Sequence, residues 1–196
     1  GNKYSLWVNV YGVSERYLNV YGEKDLRAQM NQFFHRTYTH PVDGTTLDMK
    51  MLCNWYWYDE TAILETGKGT KDWNFYRYAE TLLSAAEAIA QSSGVNAEAA
   101  GYLAQVKARA NMEGKDASTI ASELQRLGKQ AFIEECWKER LREFPLEMKI
   151  WDDCVRTGKF PQISATNKGE VQFVDLIGAK NGSGATFKAT DLYWPI

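Results

Sequence analysis

The chain has 196 residues, with 23 Lys+Arg against 25 Asp+Glu and a formal net charge of -2. That balance supplies no field to draw in a phosphate backbone, which argues against nucleic acid as a partner. A mean hydropathy of -0.46 and the lack of any apolar run near ~18 residues leave no membrane-spanning helix.

The chain opens Gly1-Asn2-Lys3, with neither an initiator Met nor the order of a signal peptide. The expectation is a processed start or a fragment. Residues 1–72 are rich in Tyr, Trp, Asn, Thr and Gly, in a chain that carries seven Trp and eleven Tyr. Such ring content leaves more aromatic surface than a core of this size requires. The alternating pieces Leu6-Trp7-Val8-Asn9-Val10-Tyr11 and Asn54-Trp55-Tyr56-Trp57-Tyr58 predict strands or extended loops. Strand alternation would place Trp55 and Trp57 on one face and Tyr56 and Tyr58 on the other. Leu26, Met30 and Phe33 or Phe34 would give one short helix over about 25–34. Asp43-Gly44 and Gly67-Lys68-Gly69 mark turns.

Residues 73–158 read as helical. Tyr78, Leu82, Ala86 and Ile89 make an apolar stripe that Ser92-Ser93-Gly94 stops. Ala99, Leu103, Val106 and Ala110 repeat the spacing before Gly114, and the short link predicts an antiparallel hairpin. Leu124, Leu127, Ala131, Ile133, Trp137, Leu141 and Phe144 form a third stripe through Gly128, with Ser122 and Gln125 as a capping box or a start one turn earlier at Ile120. Pro145 suits the first turn of a fourth helix, whose apolar side is Leu146, Ile150, Trp151 and Cys154, and Gly158 is its stop. Trp137 and Trp151 are placed in the core. Four helices in two hairpins give a mainly α, tetratricopeptide-like layout, although the tetratricopeptide consensus is absent. Residues 159–196 return to loop texture, with one strand at Val171-Gln172-Phe173-Val174 and apolar residues at Trp194-Pro195-Ile196. The three regions are read as parts of one structural domain of a longer protein.

Several residues resemble a known family. Arg77-Tyr78-Ala79-Glu80-Thr81-Leu82-Leu83 with Ala86-Glu87-Ala88 is similar to the RYAE-x-LL…AEA signature of the SusD/RagB outer-membrane nutrient-binding lipoproteins. Val106-Lys107-Ala108-Arg109-Ala110 resembles that family's V-R-x-R-A segment. Glu139, Arg140, Glu143, Glu147, Trp151, Asp153 and Arg156-Thr157-Gly158 follow its E-R-x-x-E-x-x-x-E-x-x-x-W-x-D-x-x-R-T-G spacing without a gap. Leu192-Tyr193-Trp194-Pro195-Ile196 is similar to its L-x-x-P-I-P element. Met148 and Ile150 stand where a Gly and an Arg are usual, and Lys107 where an Arg is usual. The resemblance implies a SusD-like α-α superhelix and a C-terminal portion of a protein more than twice this long. It also implies a surface lipoprotein of the outer membrane, with the lipid-anchor Cys outside this chain. The implied activity is glycan capture and delivery to a TonB-dependent, SusC-like transporter, without catalysis and without a cofactor.

The signature charges Arg77, Glu80, Glu87, Arg109, Glu139, Arg140, Glu143, Glu147, Asp153 and Arg156 recur at helical spacing, which predicts ion pairs between packed helices. Asp59-Glu60 and Asp152-Asp153 are adjacent, so neither pair faces itself across a sugar as glycoside hydrolysis requires. His35 and His40 lack the spacing of a helical metal pair, and Cys53, Cys136 and Cys154 form no CxxC motif. The aromatics are the functional lead, because sugar rings stack their C–H faces on Trp and Tyr while their hydroxyls pair with polar side chains. The candidate ligand residues are Trp55, Trp57 and Tyr58, with Trp7 behind them and Tyr11, Tyr17 and Tyr21 as weaker candidates. The alternatives are a helical-repeat scaffold that buries these rings, or a peptide-binding RagB-like uptake protein.

Overall fold

The computed structural model describes residues 12–193. Trp7, the stretch Leu6–Tyr11 and Trp194–Ile196 lie outside the described residues.

The fold is mainly helical. Helix α1 (Tyr78–Ser93) buries Ala79, Leu82, Leu83, Ala86 and Ala90, and ends at Gly94, whose φ of 82° only glycine adopts freely. Tyr78, its first residue, points to solvent. Helix α2 (Ala97–Ala108) starts at Asn96, whose side chain accepts the Ala99 N–H at 2.9 Å. Its Ala99, Ala100 and Ala104 add little bulk, so α1 and α2 pack closely as a hairpin.

The third stripe is two helices rather than one. Helix α3 (Ala117–Leu124) is capped by Asp116, which accepts the Thr119 N–H at 2.7 Å, and Ser122 instead donates to the Ser118 carbonyl. Helix α4 (Lys129–Glu143) begins after Gly128, which has extended backbone as an N-cap. An interior glycine weakens a helix, and here the chain resolves the conflict by breaking it. Helix α5 (Ile150–Thr157) starts five residues after Pro145, not at it. Leu146 and Met148 both have φ near +60°, which no helix tolerates. The described residues therefore contain five α-helices where four are expected.

Phe132 and Cys136 of α4, with Phe144 just after its end, join α1, α2 and α3 in the main core. Leu141 of the same helix serves a second core with Val20, Tyr21, Phe34, Leu52 and Val171. The last turn of α4 leaves carbonyls without helical partners. The Tyr17 hydroxyl donates to Leu141 O at 2.6 Å and the Tyr21 hydroxyl to Arg142 O at 2.9 Å. Tyr17 and Tyr21 are thus spent on the frame.

Two antiparallel hairpins flank the helices. Strand β1 (Phe34–Thr39) pairs with β2 (Thr46–Asn54) across a turn at Gly44, with an irregularity between His35 and Thr37. The expected helix over 25–34 is only a 3-10 turn at Leu26–Ala28, because Phe34 is claimed by the sheet and the second core. Strand β3 (Lys159–Ile163) pairs with β4 (Val171–Asp175), the strand expected at Val171.

Trp151 departs from its expected place. Helix α5 has eight residues and turns Cys154 inward, which leaves Trp151 38 % exposed with its ring against Phe187 at 5.6 Å. Trp137 does pack against the main core and meets Phe173 edge-on.

Candidate functional site

The charged residues form a continuous network around α4. Glu143, 2 % exposed at its side chain, accepts from Arg27 at 3.0 Å, Arg77 at 3.0 Å and Arg109 at 2.6 Å. Glu139 is enclosed by Arg27 at 2.8 Å, Arg142 at 3.2 Å and Lys107 at 3.8 Å. Burial alone would raise the Glu139 pKa, but these three cations outweigh it and hold the carboxyl well below its usual 4.5. Arg140 binds Glu80 and Asp153, and Arg156 clasps Glu87 with two bonds of 2.7 and 2.9 Å. Each charge has an opposite partner within the protein.

A cavity of about 450 Å³ opens beside this network, lined by Arg27, Lys107, Lys115, Glu123, Glu139 and Arg142. Its walls are already mutually paired: Lys115 with Glu123 at 2.9 Å, Lys107 with Glu135 at 2.5 Å. A ligand there would have to displace ion pairs, and the lining offers no ring to stack on.

Ring surface is concentrated between the end of β2 and the start of α1. The ladder stops at Asn54, whose side chain accepts the Tyr56 N–H at 2.7 Å and caps a 3-10 turn over Trp55–Trp57. The local pull of an Asx cap replaces the expected strand alternation. Trp55 is consequently sandwiched, with His35 at 3.8 Å and Tyr58 at 4.5 Å, each within 12° of parallel. Tyr38 closes the cluster at 5.9 Å from both Trp55 and Tyr58. Partial burial lowers the His35 pKa from its usual 6.5.

Trp57 turns the other way. It is 40 % exposed and sets its ring nearly perpendicular to Trp73, itself 56 % exposed, with centroids 5.7 Å apart. Asp59 fixes the connection between them: its carboxylate accepts the N–H groups of Thr70 at 2.8 Å, Lys71 at 3.1 Å and Ala62 at 3.2 Å. Those backbone donors, Thr70 foremost, lower the Asp59 pKa. The Lys71 ammonium donates to the Tyr56 carbonyl and lies 5.1 Å from the Tyr56 ring. Asn74 donates to the Tyr56 hydroxyl at 3.3 Å.

The SusD family model matches residues 12–196. The chain belongs to the SusD family. A crystal structure of a SusD superfamily protein from Parabacteroides distasonis ATCC 8503 is similar to it, with a TM-score of 0.78 and 27% identity over 97% of this chain and 40% of that one. The chain therefore spans about 40% of that relative's length. No curated protein matches the chain.

Among the candidates, the fold brings Trp55 and Tyr58 into one internal stack and leaves Trp57 outside it. Trp73 was not anticipated, nor were Phe75 and Tyr76. They fall in Trp73-Asn74-Phe75-Tyr76-Arg77-Tyr78, which runs into the SusD signature at Arg77. Four rings in six residues was the available signal, and the helical periodicity of the following segment masked it.

Proposed function

We propose that this SusD-family chain is the glycan-binding part of a non-catalytic nutrient-binding protein, and that the Trp57–Trp73 pair is its ligand surface. The observation that carries the reading is the exposure of both rings on a segment fixed by Asp59 and Lys71. Sugar C–H faces need flat rings held open to solvent, with polar groups at the rim. Asn74, Lys71 and Asp72 supply that rim.

Within this reading Trp57 stacks on the sugar. Trp55 and Tyr58 hold the turn that aims it, since both faces of Trp55 are already covered by His35 and Tyr58. Trp7 remains a candidate contact. The full-length protein would be a surface lipoprotein of the outer membrane that passes its ligand to a TonB-dependent, SusC-like transporter. Among the described residues no helix is long and apolar enough to cross a membrane.

The test is iodide quenching of tryptophan fluorescence with starch, dextran, xylan, pectin, galactomannan or chondroitin sulfate. A Trp151→Phe background removes the half-exposed indole on α5. Protection of the remaining accessible Trp by one polysaccharide supports the reading and names its class. Accessible Trp protected by none of them, but protected by a tryptic peptide mixture, replaces glycan with peptide.

A further inference from the structure

The stretch that joins Trp57 to Trp73 is built differently from the frame on either side of it. No residue from Asn54 to Arg77 belongs to either apolar core among the described residues. The segment therefore gains little from the burial that stabilises the helices. Its two ends are nonetheless firm posts. At the first, the Trp55 N–H donates to Phe33 O at 2.8 Å and Asn54 Nδ2 to Pro145 O at 3.1 Å, with the Trp55 ring between His35 and Tyr58. At the second, Arg77 grips Glu147 and the Lys149 ammonium donates to Phe75 O at 2.9 Å.

Between the posts, residues 59–74 are held shut from within. The Asp59 carboxylate accepts the Ala62 N–H from the near side of the loop and the Thr70 and Lys71 N–H groups from the far side. The Lys71 ammonium donates to the Tyr56 carbonyl and, at 3.4 Å, to the Tyr58 carbonyl. Other bonds in the loop are local. Gly67 N–H donates to Ala62 O at 2.8 Å, and Thr66 bonds Lys68 at both its backbone N–H and its carbonyl. Closing a loop of this length costs chain entropy, and the bonds that oppose that cost converge on Asp59 and Lys71. Loss of the Asp59 bonds frees both sides of the loop together.

We propose that residues 59–74 are a strap latched by Asp59, which opens and closes as one unit between the fixed posts at Asn54 and Arg77. Closure brings Trp73 against Trp57, at 5.7 Å between centroids, and opening parts them. A molecule that touches both rings binds the closed strap and shifts the population towards it. The strap holds whatever that molecule is, so it does not rest on the glycan reading.

The experiment is native-state amide hydrogen exchange of the full chain, followed by NMR in urea below the unfolding transition. The amides of Ala62, Gly67, Thr70 and Lys71 are expected to share one opening, with protection about a hundredfold or more below that of Leu83 in α1 and Cys136 in α4. Asp59→Ala should lower the protection of all four by about a further tenfold, Gly67 included although it makes no bond to Asp59. The same variant should lose the exciton couplet of the paired indoles in far-ultraviolet circular dichroism, the signal that Trp73→Phe identifies. Leu83 and Cys136 keep their protection, and Asp59→Asn, which retains one uncharged acceptor oxygen, falls between the two. Exchange of the four amides only with global unfolding would overturn the strap. So would an Asp59→Ala variant that frees Ala62, Thr70 and Lys71 but leaves Gly67 and the couplet unchanged, or one that exposes Leu83 and Cys136 as well.

Discussion

The Arg77 guanidinium holds the Glu147 carboxylate through two parallel bonds, Nε to Oε2 at 2.9 Å and Nη2 to Oε1 at 2.8 Å. It thereby fastens the residue before α1 to the turn after α4. The guanidinium also lies 4.9 Å from the Phe144 ring and 5.8 Å from the Tyr56 ring, so one side chain joins the helical core to the aromatic segment. A planar fork suits this place, because it serves two carboxylates and the Glu143 carbonyl at once.

Glu147 is 6 % exposed at its side chain, and among the described residues Arg77 is its only cationic partner. Arg77→Ala strands that carboxylate and is expected to cost about 3–5 kcal/mol in urea unfolding. Arg77→Lys recovers only part of the loss, since an ammonium cannot reproduce the fork. A loss under about 1 kcal/mol for the alanine variant would show that water, not Arg77, balances Glu147.

Acid should act on the buried network before anything else. For Glu139, and for Glu135 beside Lys107 and Arg142, burial raises the pKa but the facing cations win and depress it. Arg156 does the same for Glu87 against its burial. Because the folded pKa values lie below the unfolded ones, the stabilisation is full above the ordinary 4.5 and fades as pH falls through the folded values. Stability is therefore expected to hold from about pH 7 to 5 and to fall progressively below about 4.5. A circular-dichroism acid titration checks this. Glu139→Gln, less stable at neutral pH, should show a flatter decline.

Met148 carries a separate cost. It is 69 % exposed with φ at +60°, so its side chain gains little from packing while its backbone sits where a Cβ is disfavoured. The SusD family usually places Gly here. Met148→Gly is expected to stabilise by about 0.5–1 kcal/mol, the relief of left-handed strain less the entropy of a freer unfolded chain. Met148→Val, branched at Cβ, should destabilise. Thermal midpoints separate the two, and a loss with glycine would mean that the Met148 side chain is itself held.

The helices were legible because periodicity and caps agree at α1 and α2, where Leu82, Ala86, Leu103 and Val106 face inward and Gly94 and Asn96 mark the join. Gly128 was readable as a weak point but not as a break, because Leu124, Leu127 and Ala131 keep the i, i+3, i+7 spacing across it. Trp151 misled for a related reason: an eight-residue helix buries only a narrow stripe, and its apolar spacing does not reveal its width. At the site, alternation pointed to Trp55 and Trp57 together. Sequence spacing does not show that His35, twenty residues earlier and on the paired strand, would take one face of Trp55. The Asn54 cap then rotated Trp57 to solvent, where it met Trp73 across a loop whose closure depends on Asp59.

That division of labour between neighbouring tryptophans makes the sharpest prediction. Trp55 has its two faces against His35 and Tyr58, and removing it leaves a void beside Tyr38 in a half-buried cluster. Trp55→Ala should cost about 2–3 kcal/mol, less than a fully buried tryptophan, and weaken binding only as the turn loosens. Trp57→Ala and Trp73→Ala remove rings that are half open to water and should change stability by under about 1 kcal/mol. On the glycan reading each lowers affinity for the protecting polysaccharide about tenfold. Affinity electrophoresis in gels with and without that polysaccharide, run beside urea unfolding of the same proteins, separates the two effects. If Trp55→Ala proves neutral to folding while abolishing retardation, the internal stack is not what holds the turn and Trp55 itself meets the sugar.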